Sequence, residues 1–391
     1  MLPTILILTP YFLPGFKGGG PVKSIASIVS SLSENYQFKI LCYNFDLGGS
    51  IYEDVVENQW LDFSNNVQVF YSSKSEYRNN LNSILKNTHY DICYLNSFFS
   101  FNFSIYPLIK IASSKKIILA PRGEFSPGAL SLKPIKKKIF LSLLRFTPIF
   151  NKISRWHATS ELEKNDIEEI IKSYRFTRQD QIEVVPNLSL NLVNNASKLP
   201  NHLKCYLDTL VDNGSLNICF LSRISPKKNL HLIASILKNC SAKINFDFYG
   251  PVEDTEYYNF CLSEFSQISS NVVVNYKGEV SPVFVSTVLS KYDLFLFPTL
   301  GENFGHVIAE SFSAGTPVLI SDQTPWRELN DTGVGWDLSL SKVEEFSKVI
   351  DNYANSSLGD RADKQLKCLK FYESNFNNSS IVANTINLFK F

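Results

Sequence analysis

Short apolar runs of strand length alternate with longer segments of helical period almost throughout this 391-residue chain. The first series is TILIL (4–8), FKILCY (38–43), VQVFY (67–71), DICYL (91–95) and KIILA (116–120). The second is NICFLS (217–222), INFDFYG (244–250), VVVNY (272–276), DLFLFP (293–298) and PVLIS (317–321). Apolar residues that run on without alternating suit strands of a parallel sheet, whose two faces are both covered by helices. Two such series predict an α/β protein with two doubly wound, Rossmann-like domains. The stretch at 190–212, rich in Asn, Ser and Pro and lacking periodicity, reads as the linker. It divides the chain into 1–200 and 201–371, and the tail from Leu358 to Phe391 reads as one or two amphipathic helices.

Charge narrows the function. The 38 Lys and Arg against 37 Asp and Glu leave +1, which excludes a uniformly basic, duplex-coating protein. Neutrality hides a local excess, however. Between Lys110 and His157 eleven basic residues face one acid, Glu124, a net of +10 that the rest of the chain offsets with −9. Seven scattered cysteines without a C-x-x-C pair read as small core residues of a reduced, cytosolic protein. The opening MLPTILILTPYFLPGFKGGG lacks a basic n-region and a cleavage site, so it reads as a buried strand entering a glycine loop. No run approaches the ~18 apolar residues of a membrane span.

Two loops carry the candidate chemistry. After the first strand comes Gly15-Phe-Lys-Gly18-Gly19-Gly20-Pro21, followed by a helical pattern. Glycines let a ligand approach the backbone, and a helix N-terminus favours phosphate. The loop fails the G-x-G-x-x-G pattern because Lys23 takes the third place, so a ligand-free turn stays open as its alternative. The second loop lies in PTLGENFGHVIAESFSAGTPVLISD (298–322), with Glu302 in a glycine-bearing loop and Glu310 eight residues on. A helix starting near Phe304 would put Glu310 about two turns in. Acids at the carboxyl end of a parallel strand stand where open α/β sheets place ligands.

This segment resembles the Glu-x7-Glu signature of glycosyltransferase family 4, retaining enzymes of the GT-B fold. FLSRISPKKNL (220–230) is similar to that family's R-x4-K segment; FYGPVED, YKGEVS and DLFLFPTLGE follow in the family's order. GGGPVKS and PRGEFSPGAL (121–130) resemble a branch that assembles bacterial polysaccharide and O-antigen. The resemblance implies two Rossmann-like domains facing across a cleft, with residues 372–391 packing back on the first. It implies that Arg223 and Lys228 hold the donor diphosphate, Lys227 being an alternative by spacing, and that Glu302 contacts the transferred sugar. Glu310 would bind the ribose. Asn303, Phe304, Gly305 and His306, together with Gly250 and Val280, would line the donor site, and Gly18, Gly19 and Gly20 would close on it. Arg122 stands where many members carry a histidine that touches the sugar; contact with sugar, phosphate or an anionic acceptor, or a structural role, are all open. Glu124 is a candidate acceptor base. With no Asp-x-Asp triplet, the implied enzyme needs no metal or other cofactor beyond a UDP- or GDP-sugar donor.

The basic window contains SLKPIKKKIFLSLLRF (131–146), where Lys133, Lys136, Lys137, Lys138 and Arg145 lie among large apolar residues. Such a helix suits an anionic membrane surface and a lipid-linked glycan acceptor; a surface helix packed on the sheet is the alternative. The expected protein is thus a cytoplasmic glycosyltransferase, peripheral on the inner face of the membrane, with nucleotide sugar and glycan acceptor as partners and no nucleic acid. The competing readings are another GT-B nucleotide-sugar enzyme, such as an epimerase or sugar-phosphate transferase, and an inactive glycan- or nucleotide-binding relative.

Overall fold

The computed structural model describes residues 2–176, 181–188, 214–376 and 379–391. The chain forms two compact units, residues 1–190 with 378–391, and residues 191–377. The proposed linker at 190–212 lies outside the described residues, as does Cys205.

The first unit is built on eight strands: β1 (Thr4–Leu8), β2 (Gln37–Tyr43), β3 (Trp60–Ser64), β4 (Val67–Ser72), β5 (Ile92–Asn96), β6 (Lys116–Ala120), β7 (Arg155–Ala158) and β8 (Ile182–Val184). Their order is β3-β4-β2-β1-β5-β6-β7-β8, parallel throughout except for the antiparallel β3–β4 pair. The five expected strands are present. β3, β7 and β8 are additions, and none is a continuous apolar run: WLDFS is largely exposed, while RWHA carries an arginine and a buried histidine. The closing helix Ser379–Leu388 packs on the helix Gly20–Leu32. Tyr36 Oη donates to Ile386 O (3.1 Å), and Arg155 Nη1 donates to the carbonyls of Asn387, Leu388 and Lys390. That guanidinium satisfies C-terminal carbonyls that a helix leaves without partners.

The second unit carries β9 (Leu216–Leu221), β10 (Ile244–Tyr249), β11 (Val272–Tyr276), β12 (Leu294–Phe297), β13 (Val318–Ser321) and β14 (Gly335–Leu338), all parallel, in the order β11-β10-β9-β12-β13-β14. The chain therefore leaves the sheet centre in one direction after β9 and in the other from β12. That reversal opens a crevice at the carboxyl ends of β9 and β12. In the first sheet the corresponding reversal falls between β1 and β5. β14, GWDL, was not expected, since its glycine and aspartate interrupt any apolar run.

Each sheet is buried on both faces: Ile5, Leu6, Ile7 and Leu8 of β1, like Leu294 to Phe297 of β12, are inaccessible to solvent. The six described cysteines are all buried and free. Among the described residues, no helix is long and apolar enough to cross a membrane.

Candidate functional site

The crevice residues of the second unit arise from two loops laced together. Leu300 N donates to Lys227 O (3.0 Å), Thr299 Oγ1 to the same carbonyl (3.2 Å), and Asn229 Nδ2 to Pro298 O (2.8 Å). The loop after β9 is thereby fixed to the loop after β12. Lys227 contributes its backbone to this lacing, whereas the Lys228 ammonium meets Glu302 Oε1. These two side chains are 11% and 12% exposed, and the ammonium also lies 5.5 Å from the centre of the Phe297 ring. The Thr299 hydroxyl, whose single proton is shared between Lys227 O and Glu302, lies 3.2 Å from the same Glu302 oxygen, and Glu302 N donates to Gln323 O (3.1 Å). Glu302 is thus held through both backbone and carboxylate.

Arg223, in the same post-β9 loop, forms an ion pair with Glu253 (2.9 Å), both side chains partly open to solvent. Gly250 shows why β10 ends in glycine. Its φ is 136°, and a Cβ there would come within 1.8 Å of Ser222 O. Val280 is half-buried against the core.

The helix carrying Glu310 is His306–Ser313, two residues later than expected. Gly305 at its N-cap has φ 76°, a left-handed conformation that no helix starting at Phe304 could contain. Glu310 therefore sits just over one turn in, not two. Trp326, which sequence reasoning missed, holds this start: its Nε1 donates to Phe304 O (2.5 Å) and its ring packs on Phe304, Phe312 and Phe376. The His306 ring meets Phe304 edge-on at 4.9 Å, and Asn303 and His306 are half-buried.

In the first unit, the glycine loop precedes the helix Gly20–Leu32, whose N-cap Gly19 (φ 72°) provides no side-chain cap. Asp46 shapes the loop, accepting from Phe16 N (2.8 Å) and Lys17 N (3.0 Å). A Cβ on Gly18 would come within 2.9 Å of Val22, so the loop and its helix are closely fitted.

Arg122, just past β6 with φ 57°, is half-buried in a polar cluster. It donates from Nε and Nη2 to Asn96 Oδ1 (3.2 and 2.9 Å), from Nη1 to Asn187 Oδ1 (2.7 Å) and from Nη2 to Tyr94 Oη (2.7 Å). Tyr94 Oη also meets His157 Nδ1 (2.6 Å), and His157 Nε2 meets Val185 O (2.8 Å). A carbonyl can only accept, so Nε2 carries the proton and Nδ1 accepts from Tyr94. Burial, aided by Arg122, drives the imidazole pKa down to about 3, so His157 is neutral. Glu124 accepts from Ser97 Oγ (2.8 Å), Phe98 N (2.5 Å) and Phe99 N (2.8 Å). Burial raises its pKa against these bonds and the nearby Lys137.

The basic window forms the helix Pro134–Leu144. Leu141 and Leu144 are buried, but Ile135 (73%), Ile139 (56%), Leu143 (65%) and, beyond it, Phe146 (81%) are exposed. Lys133, Lys136, Lys138 and Arg145 are exposed too. Lys137 instead turns inward, donating to Ala129 O (2.5 Å).

Residues 208–367 match the family model for glycosyl transferases group 1. The chain carries a glycosyl transferases group 1 domain. Arg223, Lys228, Gly250, Val280, Glu302 and Glu310 all lie within the group 1 domain, while Arg122, Glu124 and the glycine loop precede it. Over 318 residues the chain is 21% identical to an uncharacterized 41.2 kDa protein in the cps region of Klebsiella pneumoniae, covering 78% of this chain and 80% of that one. Over 173 residues it is 25% identical to the uncharacterized glycosyltransferase 335 of Sulfolobus islandicus rod-shaped virus 1, covering 43% of this chain and only half of the viral protein. The Anabaena Alr3699/HepE structure, solved in complex with UDP and glucose, superposes with a TM-score of 0.70 at 16% identity over 98% of both chains. The fold is GT-B, as the resemblance implied.

Proposed function

We propose that this protein is a retaining glycosyltransferase of family 4. It moves a sugar from a UDP- or GDP-type donor to a lipid-linked or oligosaccharide acceptor in bacterial surface polysaccharide synthesis. The observation that carries the reading is the Lys228–Glu302 pair, seated with Arg223 at the reversal point of the sheet in the group 1 domain. Transfer breaks the bond from sugar C1 to the diphosphate oxygen and forms one to an acceptor hydroxyl, which loses its proton. Charge then grows on the departing diphosphate, and Arg223 and Lys228 are the cations to stabilise it. Glu302 contacts the sugar; Glu310 takes the ribose. UDP and glucose in the Anabaena structure, and the cps location of the Klebsiella relative, support donor class and pathway.

The exposed apolar and cationic residues of Pro134–Leu144 support a peripheral position on the inner, anionic face of the cytoplasmic membrane. A thermal-shift screen of nucleotide sugars, followed by transfer assays, identifies the donor. Glu302→Gln and Lys228→Met should each lower kcat at least 100-fold while nucleotide-free protein stays folded, and the parent rate should survive EDTA. Unchanged turnover in either variant overturns the site assignment.

A further inference from the structure

The polar cluster at the carboxyl edge of the first sheet is unbalanced in both charge and hydrogen bonding. Among the described residues, Arg122 is held by neutral acceptors: Asn96, Asn187 and Tyr94. The acid whose titration it influences, Glu163, has its carboxylate engaged elsewhere, by Gly123 N (2.6 Å), Thr159 N (2.7 Å) and Thr159 Oγ1 (2.8 Å). Tyr94 cannot take up the charge, because it accepts from Arg122 and donates to neutral His157.

The donors are equally in surplus. A guanidinium has five N–H groups, and four bonds are made here, leaving one on Nη1. Asn96 is 3% exposed, and its Nδ2 is a buried atom with no partner among the described residues. Its amide cannot be turned over, since that would set an NH2 group against the guanidinium. Three N–H donors and one positive charge thus share the ends of β5 and β6, where Asn96 pairs in register with Ala120, two residues before Arg122. A water could accept one such hydrogen but would leave the charge. An oxyanion answers both needs, and an arginine fork suits its oxygens.

We infer that Arg122 and Asn96 form an oxyanion-binding site on the first unit that receives a phosphate group of the acceptor. The inference rests on the proposed transferase reading for the word acceptor, and on the first sheet alone for the site. Tyr94 and Asn187 are positioning residues that fix the guanidinium.

The test uses the full chain in phosphate-free buffer, with saturating nucleoside diphosphate to fill the donor site. Inorganic phosphate and pyrophosphate are the probes, read by phosphorus line broadening and calorimetry. Parent protein should bind them, and Arg122→Gln should lose at least tenfold in affinity. Asn96→Asp is the sharper variant: nearly isosteric, it replaces the free NH2 with an anionic oxygen beside Arg122. It should abolish phosphate binding while keeping or raising the melting temperature. In transfer assays it should raise KM for a phosphate-bearing acceptor at least tenfold, a larger change than in KM for the nucleotide sugar. Absence of phosphate binding by the parent, or Asn96→Asp binding like the parent, overturns the inference. Unchanged KM with phosphate binding lost overturns the acceptor assignment. Failure of the parent to bind any nucleoside diphosphate would instead refute the donor reading, and phosphate binding would still report on Arg122 and Asn96.

Discussion

At the scale of single residues, the Lys228–Glu302 pair sets the terms. Both groups are almost wholly withdrawn from water, and removing one partner leaves the other charged and unpaired. Lys228→Met and Glu302→Gln should therefore destabilise the protein individually, by up to about 3–5 kcal/mol. The double variant should recover much of that loss in urea unfolding without recovering transfer. If the single-variant losses simply add, the pair is not coupled as the structure shows it. Gly250 poses a different constraint. Alanine there meets Ser222 O and adopts a left-handed backbone, so Gly250→Ala should lose more than about 1 kcal/mol in the same measurement. Trp326→Phe keeps most of the ring packing but orphans the Phe304 carbonyl, a loss of about 1–3 kcal/mol. Glu302 and Lys228 were legible in the sequence because their spacing belongs to a local motif. Trp326 and Thr299 were not, since nothing in a linear pattern says which distant side chain reaches a loop.

At the scale of elements, the ten continuous apolar runs became strands, because burial on both faces demands such runs. The four strands that escaped notice, β3, β7, β8 and β14, are short, exposed or polar, and pairing rather than composition makes them strands. β7 shows the consequence. Its His157 is neutral with a pKa near 3 against an ordinary 6.5. Between those values the unfolded chain binds a proton that the folded chain does not. Stability should accordingly fall as pH drops from 6.5 toward 3, by up to about 1.4 kcal/mol per unit from this group. Glu124 and Glu163, raised by burial, act in the opposite sense above the ordinary carboxylate range. The readout is therefore the difference between parent and His157→Gln, whose stability should decline less steeply over that range; parallel curves would mean that His157 titrates normally. The helix Pro134–Leu144 was legible as basic and apolar, but not its two apolar sides: Leu141 and Leu144 face the core, while Ile135, Ile139 and Leu143 face out. Changing those three to Ser should cut flotation with anionic vesicles severalfold and leave melting unchanged. Undiminished flotation would remove the helix from the membrane contact.

At the scale of the whole molecule, a net charge of +1 conceals how its charges are spread. The +10 window at 110–157 belongs to the first unit, and its cations do different work. Arg155 caps the closing helix, Lys152 donates to the carbonyls of Leu108, Ile109 and Ile111, Lys137 turns to Ala129, and Arg122 sits in its cluster. A count along the sequence cannot separate these inward-turned cations from Lys133, Lys136, Lys138 and Arg145, which remain exposed. Only the exposed set can attract an anionic surface over distance, and the Debye length limits its reach to about 10 Å at 0.1 M salt. Vesicle flotation should consequently fall as salt rises from about 0.05 to 0.5 M, where the screening length drops severalfold. Lys133, Lys136 and Lys138 changed together to Glu should bring low-salt flotation down to the high-salt level. Neutral vesicles should retain little protein at any salt, and duplex DNA should not compete at physiological ionic strength. Flotation that ignores salt would show that the exposed lysines contribute nothing to the contact, leaving Ile135, Ile139 and Leu143 to carry it alone.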